Sequence, residues 1–368
     1  MIVGVPTEIK DSERRVGLSP ASVIELVAHG HEVLVEPGAG AGSGFADADY
    51  TGAGASLASD AEDVVARAEM IVKVKEPQPV ERARLRADQT LFTYLHLAPD
   101  PDQAKDLMAS GATCIAYETV TDSFGGLPLL APMSQVAGRL AVQAGAHNLE
   151  RPQGGSGILL GGVPGVPPAQ VVVIGGGVVG SNSIEMAIGL GADVTVLDRN
   201  VHVLGELADR FGPALRTIYS TRSALEDHVL AADLVIGAVL VKGAAAPKLV
   251  SADQVRRMRP GSVLADVAID QGGCFETSRP TTHTEPTYVV DDVVHYCVAN
   301  MPGAVPRTST LALNNVTLPF VLALADLGPA EAMRRDPHLL NGLNVHDGQI
   351  TEPAVAEALD LPLVVPEL

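Results

Sequence analysis

The chain has no tryptophan, and aromatic residues make up only 3 % of its 368 positions. Aliphatic side chains must therefore fill its cores, and the abundance of Ala, Val and Gly suits closely packed α/β layers. Basic charge is scarce: 25 Lys and Arg stand against 44 Asp and Glu, a formal net charge of −19. A nucleic-acid partner would need a basic face, and a bare anionic membrane would need one too. Neither partner is expected, and the acidity reads as a solvated surface. Cysteine is rare as well. Cys114, Cys274 and Cys297 lack metal-ligand spacing, and an odd count argues against a disulfide framework. The N-terminus has no apolar stretch of secretory length. No run approaches the ~18 consecutive apolar residues of a membrane span. Internal repeats of solenoid period and low-complexity tails are missing. The expectation is a reduced, cytoplasmic, globular protein.

What is present is 46 % hydrophobic residues in a chain too long for one ordinary core, so two domains are expected. The most informative stretch is VVVIGGGVVGSNSIEMAIGLGADVTVLD, residues 171–198. An apolar run, Val171 to Ile174, has the length of a buried strand. Gly175, Gly177 and Gly180 follow as G-x-G-x-x-G. A helical segment, Asn182 to Leu190, leads to a second strand, Val194 to Leu197, which ends in Asp198, 23 residues after Gly175. Gly175 makes the tight turn, Gly177 lets the backbone approach a pyrophosphate, and Gly180 lets helix and strand pack closely. The helix N-terminus favours the anion, and Asp198 is placed to hydrogen-bond the adenosine ribose. Thirty-seven glycines make a lone match cheap; the strand, the helix and the terminal carboxylate make this one specific for a dinucleotide.

Short apolar runs alternate with helical patterns from the first residue. Strands are expected at Ile2–Val5, Val33–Val35, Met70–Val74, Leu91–Leu95 and Ile115–Tyr117. A helix is expected to open at Ser19-Pro20. A long helix, Gln135 to Leu149, leads into the glycine-rich stretch. The further strands are Val194–Leu197, Leu234–Ala238, Val263–Val267 and His295–Val298, about six in all. A second long helix is expected from Thr308 to Leu327, with Pro319 inside it, and the tail 328–368 reads as helical. The last 60 or so residues are too few for a domain and should return to the first. The predicted architecture is α/β: two Rossmann-like, doubly wound parallel-sheet domains joined by two long helices. The cofactor domain, 129–305, is inserted in a domain made of 1–128 plus 306–368.

Ligands of open parallel sheets sit beyond the carboxyl ends of the strands. Polar residues fall there repeatedly: Lys75, His96, Glu118, Asp270 and Asn300, with Arg15 in the loop after the first strand. Each has an ordinary structural alternative. His96 could be a satisfied structural residue, Arg14 and Arg15 a solvated pair, and Asp270 a turn cap. Lys73 reads as an exposed or supporting charge. Convergence with a nicotinamide fold favours the functional reading.

Nine long, non-degenerate segments resemble the bacterial NAD-dependent alanine dehydrogenases, of the alanine dehydrogenase and transhydrogenase alpha-subunit family. Among them are GVPTEIKDSERRVGLSP (4–20), VKVKEP (72–77), TYLHLAPD (93–100), LPLLAPMSQVAGRLA (127–141), VAIDQGGCFETSRPTTH (267–283) and YCVANMPGAVPRTST (296–310). The resemblance spans essentially the whole chain. It implies reversible oxidative deamination of L-alanine to pyruvate and ammonium with NAD, by a homo-oligomer, usually a hexamer. It places Arg15 and Lys75 at the substrate, and His96 and Asp270, with Lys75 facing the reacting centre, in catalysis. It places Ser134, Val178, Asp198, Ser220, Val239, Leu240, Val267, Ala268, Ile269, Asp270, Arg279, Val298, Asn300 and Met301 at the cofactor, beside the three glycines. Two departures stand out. Where some relatives carry a metal-binding Glu and His on the long C-terminal helix, this chain has Ala323 and Leu327, so no metal is expected. Arg199, directly after Asp198, could tolerate a 2′-phosphate. The alternative reading is the soluble NAD(H)-binding subunit of a proton-translocating nicotinamide nucleotide transhydrogenase. Arg15, Lys75, His96 and Asp270 together favour the dehydrogenase over that module or a non-catalytic NAD sensor.

Overall fold

The computed structural model describes residues 1–239 and 246–366. The chain divides into two compact units, Met1–Met133 with Val305–Leu368, and Ser134–Ala304.

The first unit opens with β1 (Ile2–Val5), β2 (Glu32–Val35), β3 (Ser56–Leu57), β4 (Met70–Val72), β5 (Thr90–Thr93) and β6 (Thr113–Ala116). The second holds β7 (Gln170–Ile174), β8 (Asp193–Asp198), β9 (Leu215–Tyr219), β10 (Leu234–Gly237), β11 (Val263–Asp266), β12 (Thr287–Val290) and β13 (Val293–Tyr296). The chain then returns to the first unit with β14 (Leu343–His346) and β15 (Gln349–Ile350). The first sheet runs β15-β14-β6-β5-β4-β1-β2-β3, and the second β12-β13-β11-β10-β7-β8-β9. In each, the strand order reverses where the first strand of the unit lies beside the fourth: β1 beside β4, and β7 beside β10. Such switch points are where open α/β sheets bind ligands.

The sheets are mostly parallel, but not wholly so as expected. β14 runs antiparallel to β6 and β15 antiparallel to β14; β12 runs antiparallel to β13. The tail is likewise not simply helical. Helices Pro329–Arg335 and Pro337–Leu340 precede the β14–β15 hairpin, and helix Pro353–Leu359 follows it. The hairpin turns at Asp347-Gly348, both at positive φ (47° and 73°), the backbone that this dipeptide favours between short strands. Val345, Ile350, Val355 and Ala356 fill one core with Leu91, Leu95, Cys114 and Leu107.

Helix starts follow local chemistry. Ser19 caps Pro20–Ala28, its side chain accepting the Ser22 N–H. The helix after the glycine turn begins at Val178, four residues earlier than the periodicity suggested, because Gly177 itself is the N-cap. Of the two long helices, Ala131–Asn148 begins three residues before the unit boundary, whereas Pro306–Leu327 lies wholly in the first unit. By length and composition the latter could cross a membrane; its serines and threonines break the apolar run without abolishing its hydropathy. Its buried face mixes Ser309, Thr310, Asn314 and Thr317 with Leu313, Val321, Leu324 and Ala325, and its polar residues are committed to the first unit. Asn314 accepts from the Ser19 N–H and the Ser22 hydroxyl (both 2.7 Å) and donates to Gly17 O, while Thr310 accepts the Val16 N–H.

Candidate active site

The end of β4 and the loop after β1 meet tightly. A Cβ on Gly17 would lie 2.3 Å from Val72 O. In that loop Arg15 is buried and its neighbour Arg14 exposed. Buried Glu13 accepts from Arg15 Nε (2.7 Å) and Nη2 (2.5 Å), and Arg15 Nη1 lies 3.0 Å from Met133 Sδ. Burial alone would lower the guanidinium's pKa, but Glu13 outweighs it and holds Arg15 charged. Glu13 occupies the Nε–Nη2 edge.

Lys75 follows β4 and is half-buried, its ammonium 4.0 Å from Glu76 Oε2. Lys73, expected to be exposed or supporting, is buried and pairs with Glu81 Oε1 (2.6 Å) and Glu8 Oε2 (3.2 Å). His96 follows β5 at φ 50°, a left-handed conformation uncommon outside glycine. Glu118, after β6, holds it there by accepting the N–H of His96 (2.5 Å) and that of Leu95, and lies 3.7 Å from His96 Nδ1. The imidazole is 42 % exposed and stacks on Tyr94, with ring centroids 5.7 Å apart and planes 1° apart. Tyr94 is buried, and its hydroxyl donates to Leu129 O (2.6 Å). Burial pushes that phenol's pKa well up, with Arg15 opposing. Arg15, Lys75 and His96 therefore all sit on loops at the carboxyl edge of one sheet, Arg15 fixed by Glu13 of its own loop and His96 by Glu118 from the segment after β6.

In the second unit the glycine turn forms a cradle. A Cβ on Gly175 would meet Ala238 O at 2.8 Å and Val239 Cγ2 at 3.3 Å, at the switch point between β7 and β10. One on Gly180 would lie 1.8 Å from Gly175 O. One on Gly177 would meet nothing within 4 Å. The first and third glycines are thus required by the protein's own packing, whereas the second faces open space. Beyond it begins helix Val178–Gly189, with no side chain capping its first amides. These amides and the open space suit a pyrophosphate. Asp198 ends β8, its Oδ2 accepting the Gly176 N–H and its Oδ1 the Asn200 N–H (2.7 Å each). A carboxylate has about four acceptor positions, so ribose hydroxyls can still be taken. Ser220, just after β9, donates its N–H to Asp198 O.

Val267, expected as the end of a strand, instead opens a short 3-10 helix, Val267–Gln271, which carries half-buried Val267, buried Ala268 and Ile269, and exposed Asp270. Asp266 shapes it. This buried carboxylate accepts from the N–H groups of Ala268, Cys274 and Phe275 and from the Ser278 hydroxyl. Arg279 lies over the Tyr288 ring, 4.1 Å from its centroid. Val298 and Met301 are buried, and between them Asn300 sits at φ 61° with its carbonyl 3.1 Å from His283 Nε2. Ser134 is half-buried in the first turn of its helix; Leu240 lies outside the described residues. Ala323 and Leu327 stand on helix Pro306–Leu327. Among the described residues no group of three or more His, Cys, Asp or Glu could hold a metal ion.

Sequence reasoning overlooked Glu8, Glu13, Glu81, Tyr94 and Asp266. The available signal was acidic residues inside otherwise apolar or basic segments, as in VLAD and TEIKDSERR.

Residues 4–137 match the family Alanine dehydrogenase/PNT, N-terminal domain, and residues 141–353 its C-terminal domain. The chain is 64 % identical to an alanine dehydrogenase of Halomonas elongata over 99 % of its own length and 98 % of that relative. A solved L-alanine dehydrogenase superimposes with a TM-score of 0.95 at 55 % identity, covering 98 % of this chain and 99 % of that one. A solved transhydrogenase from Sinorhizobium meliloti gives 0.82 at 25 % identity, covering 96 % and 100 %. Both halves of the chain match, and so does the whole; this protein belongs to the alanine dehydrogenase/PNT family.

Proposed function

We propose that this chain is an L-alanine dehydrogenase. It converts L-alanine, NAD⁺ and water reversibly into pyruvate, ammonium, NADH and a proton. The observation that carries the reading is the edge of the first sheet, where a buried or half-buried carboxylate accepts from the Arg15 guanidinium, from the Lys75 N–H and from the His96 N–H. An amino acid presents one carboxylate to grip and one amine whose protons must move, and these three side chains supply both chemistries.

The nicotinamide of bound NAD supplies the acceptor for the Cα hydrogen and its electron pair. Gly177, the amides of Val178 onward and Asp198 would hold that cofactor, with Ser220, Val239 and the segments 267–270 and 298–301 around it. Arg15 contributes a fixed positive charge to the substrate carboxylate, and Lys75 a second to the carboxylate or keto oxygen. After oxidation the substrate imine takes up water, and ammonia leaves the carbinolamine. His96 moves those protons, and Asp270 takes or relays one from the amine.

The likeness to a transhydrogenase keeps a second reading in view: a nucleotide-binding module that acts only with a membrane partner. One assay separates the two. The purified chain alone should form NADH from L-alanine and NAD⁺ at alkaline pH; no turnover, with NADH still bound, would favour the module. The expected homohexamer is tested by light scattering of the same sample.

A further inference from the structure

We propose that Glu8, paired with Lys73, is a positioning residue for Lys75. The assignment rests on the function proposed above and goes beyond it, because neither residue touches the substrate in that reading. Where β4 stops at Val72, the main chain leaves the sheet and its amides need new acceptors. Glu8, reaching over from the loop after β1, supplies them. Its Oε1 accepts the Val74 N–H at 2.6 Å, and its Oε2 lies 3.4 Å from the Lys75 nitrogen. The carbonyls of the same segment are held as well. The Tyr117 hydroxyl donates to Lys73 O and the Thr93 hydroxyl to Lys75 O, at 3.0 Å each. The backbone that carries Lys75 is thus fixed from three strand-end loops, at the switch point of its sheet.

A carboxylate, whose two oxygens only accept, suits a place where two amides need acceptors. Glu8 is buried and its pKa is raised: burial drives a carboxyl towards its neutral form, with Glu81 and Glu13 adding to that push. Lys73 opposes it from 3.2 Å. Lys73 is itself tied by Glu81, which also accepts the Gln78 N–H. This accounts for a buried lysine two residues from the one assigned to substrate: the first pairs with the group that aims the second.

The test is pyruvate affinity of the NADH complex, measured by calorimetry on the full chain, with NADH affinity and thermal midpoint alongside. Glu8→Gln should weaken pyruvate at least about tenfold while NADH affinity stays within about twofold. Lys75→Met should weaken it too, and the double variant should bind no more weakly than Lys75→Met alone, since Glu8 acts through Lys75. Additive losses, or unchanged pyruvate affinity in Glu8→Gln, would overturn the assignment while leaving the proposed activity standing. A wild-type complex with no measurable pyruvate affinity would overturn both. Should Glu8→Gln fail to fold, Glu8→Asp carries the test. It keeps a carboxylate opposite Lys73 but is one methylene short of the amides, and it too should lose pyruvate affinity with NADH retained; unchanged affinity there would overturn the assignment.

Discussion

Two glycines three residues apart separate packing from binding. Gly180 has no room for a methyl group, so Gly180→Ala should cost stability on the scale of overpacking, about 1–3 kcal/mol or more. Gly177 has open space and an ordinary φ of −68°. Gly177→Ala should keep the thermal midpoint and weaken NADH at least about tenfold, because the added methyl takes the pyrophosphate's approach. Equal effects on midpoint and affinity would show that the cradle is misread. For the pair proposed to move protons, His96→Ala and Asp270→Asn should each lower alanine turnover at least about 10²-fold with NADH still bound; near-normal turnover in either would remove that residue from the chemistry. Lys73 gives a pH signature. Burial lowers its pKa, but Glu8 and Glu81 outweigh burial and hold it above the ordinary 10.5. A cation whose folded value is raised stabilises fully below its unfolded value, and the contribution fades as pH climbs through the folded one. Lys73→Met should therefore be less stable near neutral pH, by about 3–5 kcal/mol for a broken buried pair, and should converge on the wild type above pH 10.5. A gap constant up to pH 12 would refute this. The glycines, Asp198 and the strand-end residues were legible in sequence because the motif is local and strand ends can be located. Glu118 and Glu8 were not assignable, because their partners lie 22 and 66 residues away.

At the level of elements, buried parallel strands announce themselves as apolar runs, and β1, β4, β5, β7, β8, β10 and β11 were placed within a residue or two. The missed strands are those that break that signature. β9 and β12 are only partly buried, β9 with Arg216 and Thr217 between apolar residues, and β3 is two residues long and exposed. β14 carries Asn344 and His346 in a strand of four. It pairs antiparallel with a strand more than 200 residues earlier, which no local pattern reveals. Its weight in the core is nonetheless large. Removing everything from Pro329 onward would strip Val345, Ile350 and Val355, each fully or nearly buried. At about 1.5–3 kcal/mol per side chain, that is comparable with the whole stability of an ordinary domain, ~5–15 kcal/mol. The truncated chain should lose the first unit's protection from protease while the second keeps its own; an intact first unit would show that the tail is dispensable.

For the whole molecule, the two units share a strand plan, and the chain's only three thiols are divided between them. Cys114 lies in the first unit, and Cys274 and Cys297 in the second, all buried and unpaired. Burial pushes Cys114 up to about 12 and Cys297 up to about 11, and holds Cys274 well above its usual value, so thiolate is almost absent near neutral pH. In native buffer a thiol reagent should meet almost nothing to react with. The consequence is a pair of built-in clocks. With reagent in excess, each cysteine is alkylated only when its own surroundings open, and peptide mass spectrometry reads the two units separately from one tube, with no label engineered in. Rates that differ between Cys114 and the other two would measure how independently the halves breathe, and slowing of the Cys274 and Cys297 rates by NADH would locate the cofactor's grip on the second unit without any assay of turnover.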